Sequence, residues 1–491
     1  MVIKEKSNSL TKNAFLVILI RFSQLFFPLI TVTHLVGVIN PENYGLYEFS
    51  FSIVSYFLLI SQFGIPIFAQ REVSKVRDNI FLVKKKINEF FTIGLVASIL
   101  SVSILLISIQ LIDLSELLIS LLLVHSLTIF ANLFQFEWVF FALEKFSYLS
   151  LRTFFVKLCL TIITVLTVKN NNHLLNYAFL VLFTNFFIAF INTKYLKKQI
   201  DFQPNLLFSD FVKNIKGLLI IFLLNITVSV YSLIDKLFIG FFLNTVSVAF
   251  YSLADRFIRV FIYLIISINS IILPRFSYQL NNSKDFSSSI NLIKNAFNMI
   301  TFFSFQISLF LFYFSSSFIT YLFGFDYSET TNIVLLMIPL IYLVTISNFF
   351  GVQILFSLGK EKITTLSTLI ASIFNLILNS ILVFKLGVLG ILISTLFSEF
   401  LVLLIQIITG FDLFKKYIGI YNFSVSLIPN LLILFLIIFN YEHMNSLNII
   451  YYFLFLLIYL SYILVFNRSI LINFSSRIKK FLTSLFRFKK I

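Results

Sequence analysis

The sequence contains few charged residues and almost no cysteine. Only 12% of its 491 residues are charged, whereas an ordinary soluble domain carries roughly a quarter. Cys159 is the single cysteine, which excludes an internal disulfide framework. The four histidines lie far apart, with no cysteine or carboxylate at ligand spacing, so the sequence predicts no metal site and no cofactor.

Apolar residues take the place of the missing charge. They make up 59% of the chain, and the mean hydropathy is +0.99. The apolar runs are long enough to cross a hydrocarbon core of ~30 Å, and in that solvent helices satisfy their own backbone hydrogen bonds. We therefore predict an all-α, multi-pass membrane protein with about fourteen transmembrane helices, near residues 13–38, 45–69, 90–112, 115–140, 150–168, 174–193, 217–243, 246–274, 292–322, 330–357, 363–384, 388–410, 424–440 and 447–466.

The basic residues fall in alternate loops, which predicts the orientation. One set of loops and helix ends holds most of them, including Lys84–Lys86, Arg152, Lys157 and the tail 468–490, whereas the other set holds only Lys169 and Lys385. The positive-inside rule then places both termini in the cytoplasm. The tail segment RIKKFLTSLFRFKK is either a basic amphipathic helix on an anionic leaflet or a solvated tail. All loops on the other side are short, which disfavours an enzyme that acts there.

A weak internal repeat predicts two lobes. The loop around residues 194–216 separates six helices from the next six, and in each half a glycine, Gly37 or Gly240, precedes the turn after the first helix. We predict an N-lobe over 1–205, a C-lobe over 206–415, and two further helices with a basic tail over 416–491. Parallel six-helix lobes are typical of V-shaped transporters that work by alternating access.

Five ionisable residues interrupt the seventh and eighth predicted helices: Asp235, Lys236, Asp255, Arg256 and Arg259. A charge near the bilayer centre costs roughly 2.5–3.5 kcal/mol, so such residues usually face a bundle interior. The intervening turn, near residues 244–245, puts both groups about ten residues deep, or roughly 15 Å. One interpretation pairs Asp235 with Arg256, and Asp255 with Arg259, as structural glue. The cations outnumber the carboxylates, however, which favours a functional role.

Four other charged positions lie within predicted helices or at their ends. Arg21 lies on a polar stripe of the first helix, or its side chain snorkels to the interface. Glu48 lies on a polar stripe of the second helix, and Glu399, in the twelfth, is a candidate protonatable coupling site. Glu137 adjoins Trp138 and is interpreted as interfacial.

These features predict a transporter for a large anionic, phosphate-bearing solute, because arginine presents a rigid fork to phosphate oxygens and lysine a point charge. The candidate substrate residues are Arg21, Lys236, Arg256 and Arg259. The candidates for ion coupling or charge pairing are Asp235, Asp255, Glu399 and Glu48.

Three segments carry a resemblance to a known family. VINPENYGLYEFSFSIVSYFLLISQFGIPIFAQREVSK (38–75) contains a Pro-Glu-x-Tyr-Gly turn, FEWVFFALEKFSYLSLR (136–152) an acidic-Trp pair, and LIDKLFIGFFLNTVSVAFYSLADR (233–256) an Asp-Lys, an Ile-Gly and a Tyr-x-x-Ala. In order and spacing they resemble bacterial polysaccharide flippases of the O-antigen type, within the multidrug/oligosaccharidyl-lipid/polysaccharide exporter superfamily.

The resemblance implies a function. Such a protein moves undecaprenyl-pyrophosphate-linked oligosaccharide across the bacterial cytoplasmic (inner) membrane for O-antigen, capsule or another surface polysaccharide. The resemblance also implies coupling to H⁺, Na⁺ or the membrane potential. A polysaccharide polymerase and a chain-length regulator are candidate partners, and no nucleic-acid partner is implied. Related lipid flippases use arginine in helices one, two and eight; Arg21 and Arg256/Arg259 match by helix, whereas helix two offers Glu48.

Three alternatives stay open at this point. A drug or cation exporter of the same superfamily would be expected to have an acidic interior, and a polysaccharide polymerase a large outer loop. A scaffold or receptor would not need charges at matched depth.

Overall fold

The computed structural model describes residues 10–201, 211–282 and 286–439, and every regular element in these ranges is helical. Within them, nine helical segments are long and apolar enough to cross a membrane. The prediction of an all-α, multi-pass membrane protein is therefore confirmed. The predicted span 447–466 and the basic tail lie outside the described residues.

The helices follow the predicted spans as far as residue 439. Two spans consist of two α-helices each, a third continues from α12 into a π-helix at Phe349–Leu355, and a short helix, α15, precedes the last one. The α-helices are α1 (Leu10–Val38), α2 (Pro41–Gln62), α3 (Ile65–Lys75), α4 (Ile80–Leu111), α5 (Glu116–Leu133), α6 (Glu137–Ala142), α7 (Phe146–Thr167), α8 (Leu174–Ile200), α9 (Phe211–Phe242), α10 (Thr245–Asn282), α11 (Phe286–Phe323), α12 (Thr330–Asn348), α13 (Glu361–Leu386), α14 (Val388–Thr409), α15 (Phe411–Tyr417) and α16 (Ile420–Phe439).

Capping residues allow the loops between helices to be short. The Asn40 side chain accepts a hydrogen bond of 2.9 Å from the backbone N–H of Asn43, and Pro41 opens α2, as expected for a helix start. Asn244 accepts a bond of 2.7 Å from the N–H of Ser247. Such side chains satisfy amides that the helix cannot pair itself, and only two residues separate the end of α9 from the start of α10.

The second and fourth predicted spans are broken. Phe63 (φ 44°) and Gly64 (φ 75°) adopt left-handed backbone conformations between α2 and α3, and Phe136 (φ 47°) does so before α6. The short helices that follow pack on α4 through Phe90, whose ring centroid lies 5.9 Å from those of Phe68 in α3 and Trp138 in α6. Each break therefore redirects the end of its span without losing contact with the bundle.

The structure contains two compact units. The first comprises Met1–Ser252, Leu322–Tyr327 and Asn379–Ile391; the second comprises Leu253–Tyr321, Ser328–Leu378 and Leu392–Ile491. The first unit thus extends past the lobe boundary expected at residue 205, because α9 and the beginning of α10 pack against α2. The division into six-helix lobes stays a prediction.

Two glycines bring α2, α9 and α10 into close contact in the first unit. A Cβ atom at Gly45 would lie 1.8 Å from the backbone oxygen of Thr245, and one at Gly240 would lie 2.1 Å from the ring of Phe49. Small residues permit such close packing between transmembrane helices. Gly45 belongs to the Pro-Glu-x-Tyr-Gly segment and Gly240 to the Ile-Gly segment, so both segments shape this contact.

Candidate functional site

The turn between α9 and α10 brings Asp235 into a polar site in the first unit. The residue is 4% exposed. It accepts a hydrogen bond of 2.5 Å from the hydroxyl of Tyr251 in α10 and one of 2.7 Å from the side-chain amide of Asn379 in α13. Hydrogen bonds to an ionised carboxylate are among the stronger ones in proteins. Three helices therefore meet at this carboxylate.

Sequence reasoning missed Tyr251 and Asn379. The sequence did carry a signal for Asn379, because Asn375 and Asn379 lie four residues apart in α13 and so share one face. The local sequence does not show which helix this face contacts.

Lys236 forms a buried ion pair with Glu48. Its ammonium nitrogen lies 3.1 Å from Glu48 Oε2, and the side chains are 12% and 2% exposed. The Tyr44 hydroxyl donates to Glu48 Oε1 at 3.1 Å. Glu48 was predicted as a charge-pair candidate without a named partner, and the structure supplies that partner from α9. The cost of burying an ion pair is offset only when its remaining donors and acceptors also form hydrogen bonds. Tyr44 supplies one of these bonds to Glu48.

The second unit holds the charges of α10 that follow residue 252. Arg259 Nε donates to Asp255 Oδ1 at 2.6 Å, with side chains 37% and 16% exposed, which is the expected pairing at i,i+4. Arg256, in α10, and Glu399, in α14, are partly buried. The alternative pairing of Asp235 with Arg256 joins residues of different units and stays a prediction.

Arg21 is the remaining site candidate. It lies in α1, and its side chain is outside the described part of the structure. Its place in the site stays a prediction.

Two residues counted with the loop charges lie inside a helix. α7 begins at Phe146 rather than near residue 150, so Arg152 and Lys157 lie further inside the helix than predicted, in its second and fourth turns. Arg152 Nη2 donates to Glu137 Oε1 at 2.7 Å, with side chains 5% and 38% exposed. Glu137 is thus partly exposed, as its interfacial interpretation requires, whereas Arg152, which was counted among the cations of loops and helix ends, has a buried side chain.

The sequence model of the family described as "Polysaccharide biosynthesis protein" matches residues 10–280, more than half of the chain. The chain belongs to this family. A relative from Escherichia coli K12, named "Putative O-antigen transporter", is 22% identical over 378 residues, which cover 75% of this chain and 89% of the relative.

Solved structures identify the fold of this member of the polysaccharide biosynthesis protein family. The lipid II flippase MurJ, in an inward closed conformation, superposes with a TM-score of 0.72 at 18% identity, over 93% of this chain and 99% of that chain. An inward-facing MATE family transporter of the MOP superfamily matches with a TM-score of 0.60 at 12% identity, over 82% and 99%. The fold expected from the resemblance is therefore confirmed.

Proposed function

We propose that this member of the polysaccharide biosynthesis protein family is a transporter that moves a lipid-linked oligosaccharide, carried on undecaprenyl pyrophosphate, across the bacterial cytoplasmic membrane. The observation that carries the proposal is the set of cations within the apolar helices α9 and α10: Lys236, Arg256 and Arg259. Family membership, the O-antigen relative and the flippase fold support it.

The charge pairs explain how these cations can exist before substrate binds. Glu48 neutralises Lys236 at 3.1 Å, and Asp255 neutralises Arg259 at 2.6 Å. An uncompensated buried charge would be strongly destabilising. A pyrophosphate offers the same cations more oxygen acceptors than one carboxylate, and arginine binds phosphate oxygens through parallel hydrogen bonds. Substrate binding is thus an exchange of partners at the cations.

Asp235 is the proposed coupling residue, with Glu399 as a second candidate. A carboxylate within the membrane can bind a proton or ligate a sodium ion. The hydrogen bonds from Tyr251 and Asn379 join α9 to α10 and α13, so a change in charge at Asp235 would alter contacts among three helices. Such a change would favour one state of an alternating-access cycle over the other.

The orientation completes the proposal. Both termini would lie in the cytoplasm on the positive-inside rule, with the basic loop at Lys84–Lys86 on the same side. A polysaccharide polymerase and a chain-length regulator are the proposed partners on the pathway. Labelling of a cysteine at this loop by an impermeant reagent from outside the cell would contradict the orientation.

A cation exporter is the second candidate, favoured by the buried carboxylates of Asp235 and Glu48. Deletion of the gene separates the two. The flippase proposal expects lipid-linked repeat units to accumulate on the inner leaflet and surface polysaccharide to disappear. Unchanged surface polysaccharide together with increased sensitivity to cationic drugs would overturn it in favour of the exporter.

A further inference from the structure

An arginine in α7 has an incomplete set of hydrogen bonds. The Arg152 side chain is 5% exposed, and its Nη2 donates to Glu137 Oε1 at 2.7 Å and to Thr153 Oγ1 at 3.2 Å. Among the residues that the structure describes, its buried Nε and Nη1 have no hydrogen-bond partner. Guanidinium groups carry five donor hydrogens, and buried donors are normally satisfied. The site therefore lacks an acceptor.

The charges around Arg152 indicate what kind of acceptor is missing. Lys157 follows Arg152 by five residues in the same helix, and it is partly buried. We call Arg152, Lys157 and Glu137 the α7 cation cluster: two cations and one carboxylate, with a surplus of one positive charge. A surplus charge of this kind in an apolar bundle is costly without a compensating ion. An anion would supply both the missing charge and the missing acceptors.

The position of the cluster narrows the choice of anion. Arg152 lies six residues from the first residue of α7, Phe146, which is about 9 Å at 1.5 Å per residue. This end of α7 is the one predicted to face the cytoplasm, and a side chain as long as that of arginine can extend from such a depth towards the headgroup region that flanks the hydrocarbon core. Glu137, with its side chain 38% exposed, opens the cluster to the surface. The anion present in bulk at this level is a lipid phosphate.

We propose that the α7 cation cluster binds the phosphate group of an anionic lipid. Without bound lipid, Glu137 accepts a hydrogen bond from Arg152. When the lipid binds, its phosphate replaces the carboxylate and accepts hydrogen bonds from the guanidinium group, while Lys157 adds a point charge. The phosphate has two possible sources. It belongs to an anionic phospholipid, or to the pyrophosphate of the lipid-linked substrate, and only the second source rests on the proposed function.

Lipid binding to the full-length purified protein tests the proposal. Phosphatidylglycerol and undecaprenyl pyrophosphate serve as probes in separate titrations, with zwitterionic phosphatidylcholine, whose net charge is zero, as the reference, and bound lipid is measured by native mass spectrometry. Arg152→Gln is expected to weaken the binding of at least one anionic probe by tenfold or more. Glu137→Gln is expected to strengthen it severalfold, because the competing carboxylate is gone.

The matched control is Arg77→Gln. Arg77 forms an ion pair of the same length, 2.7 Å, with Glu144, but its side chain is 50% exposed. Its substitution should leave binding within twofold of the wild type. If Arg152→Gln does not fold, Arg152→Lys takes its place, since it keeps the charge and loses the fork; a severalfold loss is expected.

The outcomes are distinct. Loss with phosphatidylglycerol, alone or with the pyrophosphate lipid, supports a phospholipid-binding site, and loss with the pyrophosphate lipid alone supports a substrate site. Binding unchanged in the Arg152 variants overturns the proposal, as does a Glu137→Gln variant that binds as weakly as Arg152→Gln, because the pair would then be only structural. Binding is measured without transport, so failure of the proposed function would leave a phospholipid site intact.

Discussion

The Lys236–Glu48 pair gives the sharpest test of whether the buried charges serve stability or substrate binding. The perturbations are Glu48→Gln, Lys236→Met and the double variant. The side chains of Glu48 and Lys236 are 2% and 12% exposed, so solvent screens the pair little. Removing one partner from such a pair costs about 3–5 kcal/mol, because the other charge is left buried and uncompensated.

The double variant should recover most of that loss. Neither charge remains, and Gln at position 48 can still accept the hydrogen bond from Tyr44. If the double variant loses no more than about 2 kcal/mol, against about 3–5 kcal/mol for each single variant, the coupling energy between the two sites in a double-mutant cycle is at least about 4 kcal/mol, measured by denaturant unfolding in mixed micelles. The exposed pair Arg77–Glu144, at 50% and 55% exposure, is the control and should contribute no more than about 1 kcal/mol.

Transport then separates stability from function. If Lys236 binds the pyrophosphate, the double variant is stable and inactive, as judged by surface polysaccharide in a complemented deletion strain. Full transport by the double variant would refute the substrate role of Lys236. Single variants as stable as the wild type would refute the reasoning from burial.

Three further predictions follow from the same structure. Gly45→Ala should destabilise the protein by about 1–3 kcal/mol, since its Cβ would meet the carbonyl of Thr245, whereas Gly37→Ala in α1, with nothing within 4 Å, should be neutral or stabilising by up to about 1 kcal/mol; thermal unfolding compares the two, and equal midpoints would contradict the packing. Arg256→Ala should abolish transport at normal expression, while Arg256→Lys keeps part of it; full activity of the alanine variant would exclude the residue from the site. Asp235→Asn should remove the dependence of transport on the ion gradient, and a variant with unchanged dependence would exclude Asp235 as the coupling residue.

Hydropathy and polar stripes were sufficient to find the spans up to residue 439, the turn before α10 and the intramembrane charges. These patterns did not show which of the charged residues form pairs. Lys236 meets Glu48 because Gly45 and Gly240 let α2 approach α9 and α10 closely, and a contact between distant segments has no local periodicity. The sequence signals the two helix breaks unequally. Gly64 and Pro66 mark the break between α2 and α3. The break before α6 is at Phe136, a bulky residue in a left-handed conformation, which gives no local signal.

The contact between Gly45 and Thr245 also has a consequence for biosynthesis. Its two sides are separated by 200 positions in the chain, which a ribosome adds in about 10–40 s at 5–20 residues per second. During that time the glycine surface of α2 has already entered the membrane while its partner does not yet exist. If the gene is split at residue 205, the N-terminal fragment alone never meets the partner of this surface. We therefore expect that fragment to express poorly by itself, and co-expression of both fragments to restore its expression.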